Sequence, residues 1–181
     1  MLVSALAFVA LGGTAIAVKQ RGTPGPDRLR GGPRSDKLIG RGGADKLIGR
    51  GGLDRLRGGR GRDKLLGGRR GDLLKGGGGK DKLVGGRGND DLLGGRGKYR
   101  LRGGRGEDRL LAGPGGGRMS GGPGRDEFNE IDGEGVGGSG NDTILARDGV
   151  EDAINCGPGE DTAVVDASED GVFDCETVLE P

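Results

Sequence analysis

Residues 85–93 read Gly85-Gly86-Arg87-Gly88-Asn89-Asp90-Asp91-Leu92-Leu93, and this nine-residue pattern repeats along most of the chain. The aspartate returns at Asp27, Asp36, Asp45, Asp54, Asp63, Asp72, Asp81 and Asp90, and then at Asp108 and Asp126. An apolar residue follows two positions later, at Leu29, Leu38, Leu47, Leu56, Leu65, Leu74, Leu83, Leu92, Leu101, Leu110, Met119 and Phe128. A unit this short cannot bury a core alone, so the period predicts a solenoid of stacked units.

The composition excludes an ordinary globular core. The chain has 181 residues, of which 47 are Gly and only 30% are hydrophobic, against about 45–50% in a typical domain. It has no His, and it offers no cleft-forming domain that could align paired acids for catalysis. We therefore expect a protein that is not an enzyme and that is stabilised by something besides hydrophobic burial.

The residue types in each turn favour calcium. Ca²⁺ prefers six to eight oxygen ligands from carboxylates and carbonyls. Glycine permits positive φ and lets bare carbonyl groups approach an ion, while the aspartate supplies negative charge. The alternative is that Lys/Arg–Asp pairs hold the solenoid together without metal, since cations such as Arg62, Lys80 and Lys98 crowd the turns.

The repeat resembles the RTX family of nonapeptides, GGxGxDxUx, in which U is a large apolar residue. Six units match every fixed position, beginning at Gly58, Gly76, Gly85, Gly103, Gly121 and Gly137. The resemblance implies an all-β fold, a right-handed parallel β-roll (a β-helix), with Ca²⁺ as cofactor. Each ion would lie between units n and n+2, and ion binding would drive folding.

Two units per turn, as the resemblance implies, separate the aspartates into two rows. The first row holds Asp36, Asp54, Asp72, Asp90, Asp108 and Asp126. The second row holds Asp27, Asp45, Asp63 and Asp81, and then Tyr99 and Gly117 where Asp is expected. We expect fuller metal occupancy on the first row and weak or empty sites near Tyr99 and Gly117. Further metal ligands are predicted in the acidic tail, at Asp142, Asp152 and Asp161.

The chain divides into three predicted segments. Residues 1–17 are apolar and end in a small-x-small pattern, which predicts a signal peptide; an uncleaved membrane anchor is the alternative. Residues 18–129 form the basic β-roll, and residues 130–181 an acidic continuation with a C-terminal cap. Cys156 and Cys175 would close the cap as a disulfide, as expected for a secreted or cell-surface protein.

The charge is distributed unevenly. Residues 1–125 carry 28 Lys and Arg against 11 Asp and Glu, a net +17, whereas residues 126–181 carry 1 against 17, a net −16. The residues after the second-row aspartates should point outward as a cationic column, formed by Arg28, Lys46, Lys64, Lys82, Arg100 and Arg118. An alternative function is therefore a calcium-independent solenoid that binds an anionic polymer. Self-association through the charge split and a merely solvated charged face also remain open.

Overall fold

The chain forms a parallel β-solenoid of about 9 turns in a computed structural model that describes residues 16–129, 131, 133–147, 149–166 and 171–180. The predicted signal peptide falls almost entirely outside these residues. No helix with the length and hydropathy needed to cross a bilayer is found in the described ranges.

Two parallel sheets make up the walls. The first sheet has 10 strands, each paired with the strand two units away in sequence. These strands are β1 (Lys19–Arg21), β3 (Lys37–Gly42), β5 (Arg55–Arg60), β7 (Leu73–Gly78), β9 (Asp91–Arg96), β11 (Arg109–Leu111), β13 (Glu127–Asn129), β15 (Thr143–Ala146), β17 (Thr162–Val165) and β19 (Thr177–Leu179).

The second sheet has 9 strands in the same alternating order. They are β2 (Arg28–Arg30), β4 (Lys46–Gly51), β6 (Lys64–Arg69), β8 (Asp81–Arg87), β10 (Tyr99–Arg105), β12 (Gly117–Pro123), β14 (Gly133–Ser139), β16 (Ala153–Asn155) and β18 (Gly171–Phe173). Consecutive strands thus alternate between the two sheets, which confirms the prediction of a parallel β-roll with two units per turn.

The register is set by the nine-residue period. Leu47 pairs with Leu65 and Leu65 with Leu83, so identical positions stack at a shift of 18 residues. Because side chains alternate between the faces of a strand, one leucine per unit points inward and its neighbours point out. Leu38, Leu47, Leu56, Leu65, Leu74, Leu83 and Leu92 are all buried and form the core predicted from the sequence.

Many strands run beyond the apolar residue of their unit into the glycines of the next one. Parallel pairing continues through the glycines, as in the Gly59–Gly77 and Gly77–Gly95 partners. The turns also stack on one another, because Gly61 N–H donates to the carbonyl of Gly78 at 2.7 Å and Gly79 N–H to that of Arg96 at 2.9 Å. Turn and strand together therefore form one continuous ladder.

The acidic tail extends the same two sheets. β13 pairs with β15 and β15 with β17, while β14 pairs with β16. A disulfide joins Cys156, just after β16, to Cys175, just before β19, with Cα atoms 5.1 Å apart. The disulfide therefore ties two neighbouring turns together at the C-terminal end, as predicted. The division at residues 129 and 130 stays a prediction, because both sheets run across it.

Candidate metal centre

The repeat aspartates are buried although their side chains are short and charged. They lie at the corner just before each strand, with exposures of 1–4% for the residues from Asp36 onward in both rows. Only Asp27, at the N-terminal end of the second row, is half-buried. A buried carboxylate must find hydrogen bonds or a cation, since its ionised form is otherwise strongly destabilised.

One oxygen of each carboxylate is used by the backbone. In the first row, the N–H of each aspartate donates to Oδ1 of the aspartate in the next turn, at 2.7–2.8 Å from Asp36 as far as Asp161. Val18 N–H begins the ladder on Asp36, and Glu176 Oε2 ends it by accepting from Asp161 N–H at 2.7 Å. The first row is therefore an unbroken hydrogen-bonded column.

The second row follows the same rule over a shorter length. Asp27, Asp45 and Asp63 donate in turn to Asp45, Asp63 and Asp81 at 2.8–2.9 Å. Asp81 N–H donates instead to the carbonyl of Lys98, because Tyr99 occupies the next position. The ladder reappears where Gly133 N–H donates to Oδ1 of Asp152 at 2.7 Å.

The second oxygen of most carboxylates has no partner. Among the described residues, Oδ2 is buried and accepts no hydrogen bond in a set spread over both rows: Asp45, Asp54, Asp63, Asp72, Asp90, Asp108, Asp126, Asp142 and Asp161. An unsatisfied buried acceptor costs about 1–3 kcal/mol, and more when it carries charge. A repeated orphan oxygen of this kind marks a place where a cation would be stabilised.

A backbone carbonyl lies beside six of these orphan oxygens, those of Asp45, Asp54, Asp63, Asp72, Asp126 and Asp142. A Cβ built on Gly67 would lie 2.5 Å from Asp72 Oδ2 and 2.7 Å from the carbonyl oxygen of Gly85. A Cβ on Gly76 would lie 2.7 Å from Asp81 Oδ2 and 2.6 Å from the carbonyl oxygen of Gly94. The first glycine of these units thus keeps open a small cradle in which a carboxylate oxygen and a carbonyl oxygen meet.

This donor set fits a hard cation. Carboxylate and carbonyl oxygens from adjacent turns are the ligands that Ca²⁺ accepts, in variable number and geometry. Within the described part of the chain, no three His, Cys, Asp or Glu side chains converge closely enough to hold a metal ion by themselves. A metal here would therefore depend on backbone carbonyls as much as on side chains, and that is what the cradles supply.

Burial shifts the acidity of these carboxyl groups. It raises the pKa of Asp90 to about 8, of Asp72 and Asp126 to about 7, and of Asp54, Asp108 and Asp142 to about 6. Burial also raises the pKa of Asp45, Asp63 and Asp81, partly offset by the backbone hydrogen bond to each. In the first row the neighbouring Asp, such as Asp36 beside Asp54, adds repulsion that raises the pKa further.

The cations of the turns do not neutralise the aspartate rows. The ion pairs of the described chain join Arg109 to Glu127 at 3.3 Å, Arg118 to Glu134 at 2.7 Å and Arg125 to Glu107 at 3.9 Å, all near the surface. The lattice of Lys/Arg–Asp pairs that the sequence left open as a metal-free alternative is therefore absent from the described aspartates. Their negative charge is left for another cation.

The Tyr99 ring interrupts the second aspartate row by filling the space that a carboxylate occupies in other units. The ring is buried and packs against Gly94, the first glycine of its unit, where other units hold a carboxylate. The ring also lies over Gly117, where an added Cβ would be 2.5 Å from Cδ2. The next unit begins with Ala112 in place of glycine, so two features of the cradle are missing there.

Sequence reasoning missed two parts of this site. Glu176 lies 15 residues after Asp161 and so falls outside the nine-residue phase, which is why the repeat pattern gave no sign of it. The role of the first glycine of each unit also depends on the next turn lying against it, as the carbonyl of Gly85 lies against Gly67. Only the stacking of the turns reveals that contact.

A parallel β-roll whose turns carry glycine cradles and buried aspartates defines a class of calcium-binding repeat. The RTX calcium-binding nonapeptide repeat model, written for four copies, matches residues 21–56, 49–69, 66–99, 100–128 and 135–163. These matches cover well over half of the chain, which therefore belongs to the RTX calcium-binding nonapeptide repeat family. The cofactor of these repeats is Ca²⁺. No curated protein matches the chain.

Proposed function

We propose that this chain is a secreted, calcium-dependent structural module whose β-roll folds as Ca²⁺ binds between successive turns. RTX repeats form a structural calcium-binding module and occur in secreted proteins, which supports a role as scaffold or binding surface and not as an enzyme. The observation that carries the proposal is the set of buried, unpartnered Oδ2 atoms, six of which lie beside a carbonyl oxygen.

The proposed ligands are the repeat aspartates and the first-glycine carbonyls. The first row offers adjacent carboxylates without a gap from Asp36 to Asp161. The second row offers them from Asp27 to Asp81, and again at Asp152. When bound, Ca²⁺ supplies the positive charge that the buried carboxylates lack, so that binding free energy becomes folding free energy. Sites beside Tyr99 and Gly117 are proposed to be empty.

Calcium is favoured over magnesium by the type of donor. Mg²⁺ demands near-ideal octahedral geometry and keeps several waters, whereas Ca²⁺ accepts irregular sets of carbonyl oxygens. The aspartates of the cradles are buried, and the carbonyl oxygen of each cradle comes from the turn stacked on its glycine. This arrangement leaves little room for a hydrated Mg²⁺ ion and suits Ca²⁺, which loses its water ligands more readily.

Equilibrium calcium binding by the full chain tests the proposal. Dialysis against buffered Ca²⁺ is expected to show several ions per chain, with affinities of about 10⁻⁴–10⁻³ M as in other extracellular modules. Mg²⁺ at the same concentration should displace little of the bound Ca²⁺. Absence of saturable Ca²⁺ binding, or equal competition by Mg²⁺, would contradict the proposed sites.

A further inference from the structure

We propose that the second sheet carries a groove that binds a linear anionic polymer along the solenoid axis, recognising its repeated sulfate or phosphate groups. The groove lies over the interruption of the second aspartate row at Tyr99 and Gly117. It encloses about 760 Å³ and is separate from the calcium cradles of the first row.

Strand register places one cationic column along this groove. Arg28 pairs with Lys46, Lys46 with Lys64, Lys64 with Lys82, Lys82 with Arg100, and Arg100 with Arg118. The column ends where Arg118 pairs with Glu134 and forms a salt bridge to it at 2.7 Å. From Lys64 to Arg118 the column spans three strand spacings, roughly 14 Å, which is longer than a single small oxyanion.

A second cationic column runs beside the first. Arg62, Lys80 and Lys98 lie one residue before the row of Asp63, Asp81 and Tyr99, and Lys64, Lys82 and Arg100 lie one residue after it. All six cations are exposed and line the groove. The two columns form its sides, and the floor between them holds Tyr99 and a run of glycines, Gly115 to Gly117.

The charge of these columns is not balanced by protein. Within the described ranges none of the six cations forms an ion pair, and the two carboxylates of the groove, Asp63 and Asp81, are buried. Around Lys98 and Arg100 the row holds Tyr99 and Gly117 in place of carboxylates. Like charges stacked at about 4.8 Å repel one another, so an anion that bridges them is stabilising.

The first sheet shows that this repulsion is not a necessity of the fold. At the corresponding position the first sheet begins with three cations in register, Lys19, Lys37 and Arg55. From there the series continues as Leu73, Asp91, Arg109 and Glu127, so the cationic column is interrupted, and Arg109 and Glu127 form a salt bridge at 3.3 Å. Among the described strands the second sheet carries the longer column, six cations in succession, which makes it the face that fits a polyanion.

The groove fits an anionic polymer that has no nucleic-acid bases. Proteins that hold single-stranded nucleic acid combine a cationic groove with exposed aromatic rings on which the bases stack. The groove has one aromatic residue, Tyr99, and its ring is buried, with 3% exposure. The chemistry shared by sulfated and phosphodiester polymers, a tetrahedral oxyanion on each monomer, satisfies the lysine and arginine side chains by charge alone.

Binding to labelled dextran sulfate by the calcium-loaded full chain tests the groove. The variant Lys80→Gln/Lys82→Gln/Lys98→Gln/Arg100→Gln removes four groove cations, and Arg55→Gln/Arg57→Gln/Lys75→Gln/Arg96→Gln removes four exposed cations from the first sheet. The groove variant should bind at least about tenfold more weakly, and its slope of log affinity against log salt should fall by about 3. The control variant should stay within about threefold of the parent.

Two outcomes would overturn the proposal. Equal losses in the two variants would overturn it, because net charge and not the groove would then govern binding. Tighter binding of oligothymidylate than of dextran sulfate at equal charge would overturn the assigned ligand class. A parallel measurement with poly(glycerol phosphate) shows whether the groove prefers phosphodiester or sulfate groups. Circular dichroism of each variant in Ca²⁺ and in EDTA separates failure of the groove from failure of calcium-coupled folding. If the quadruple groove variant loses its β-sheet spectrum, the double variant Lys98→Gln/Arg100→Gln takes its place in the comparison of dextran sulfate affinities.

Discussion

Asp90 illustrates the conflict that the buried aspartates create. Its Oδ1 accepts the N–H of Asp72 at 2.7 Å, while its Oδ2 is buried without a hydrogen bond. Burial raises its pKa to about 8, so without a metal the folded structure would hold this group as the neutral acid near neutral pH. A bound cation reverses that preference, which is why a single side chain can serve both the hydrogen-bonded ladder and the metal.

The Asp90→Asn variant separates these two roles. The amide oxygen can still accept from Asp72 N–H, but the charge is lost, so local Ca²⁺ affinity should fall at least about tenfold. In EDTA the variant should keep β-sheet structure to a higher pH than the parent, because position 90 no longer ionises in the folded state. Calcium titrations, and circular dichroism in EDTA from about pH 5 to about pH 8, measure the two effects.

Asp91→Asn is the matched control, because Asp91 is the adjacent residue and is exposed on β9. This variant should change neither calcium affinity nor metal-free stability measurably. If the two variants behave alike, the buried Oδ2 atoms are not metal ligands.

Arginines at glycine positions should carry measurable strain. Arg50 has φ of 87°, at the second position of its unit, where Gly59, Gly68 and Gly77 also have positive φ. Arg50→Gly should therefore stabilise the calcium-loaded protein by about 1 kcal/mol. Arg57→Gly, within β5 and outside the positive-φ set, should destabilise it by about 0.5–1 kcal/mol. A destabilised Arg50→Gly variant in chemical denaturation would contradict this assignment.

At the scale of the elements, the unit of function is a turn, a strand and the turn stacked on it. The cradle beside Asp72 needs the glycine at Gly67 and the carbonyl of Gly85, which belongs to the next turn of the same edge. No single nonapeptide therefore holds a complete site. This interdependence couples metal binding to the stacking of the strands.

Tyr99→Asp should extend the second aspartate row. The first glycine of its unit, Gly94, is present, so the carboxylate introduced at position 99 can enter a cradle next to Asp81. Equilibrium dialysis should show additional bound Ca²⁺ relative to the parent. Gly117→Asp is the control, since Ala112 stands at the first position of its unit and the Tyr99 ring lies against Gly117. Extra Ca²⁺ in the control, or none in Tyr99→Asp, would refute the assigned role of the cradle.

The sequence predicted the elements well wherever the repeat was regular. The nine-residue period set the register and the buried leucines, and the 19-residue spacing of Cys156 and Cys175 placed the disulfide in neighbouring turns. The period could not reveal Glu176, which is out of phase, or the strand pairing through the glycines. Both depend on contacts between turns, and no local pattern encodes them.

At the scale of the whole molecule, the first aspartate row should make metal-free stability depend on pH. The folded-state pKa values lie at about 6 to 8, above the ordinary value of 3.8. A raised folded pKa contributes stability that is full below the unfolded pKa and lost as pH rises through the folded pKa. Ca²⁺ requires the ionised carboxylates, so its affinity should rise over the same interval.

In EDTA the chain should therefore show β-sheet structure by circular dichroism at about pH 5 and should lose it as the pH rises to about 8. Added Ca²⁺ should restore the β-sheet spectrum at the higher pH and release protons on binding. The Asp90→Asn variant should lose its β-sheet spectrum at a higher pH than the parent, since one of the titrating groups is gone. A β-sheet signal in EDTA that rises from about pH 5 to about pH 8 would contradict the burial of ionisable carboxyls.

The most direct test of calcium-coupled folding is far-UV circular dichroism of residues 18–181, titrated with Ca²⁺ at neutral pH after removal of metal by EDTA. The buried, unpartnered carboxylates predict a coil spectrum in EDTA that converts to a β-sheet spectrum as Ca²⁺ rises toward about the millimolar range of extracellular modules. A β-sheet spectrum already complete in EDTA, or a coil spectrum at every Ca²⁺ concentration, would contradict the account.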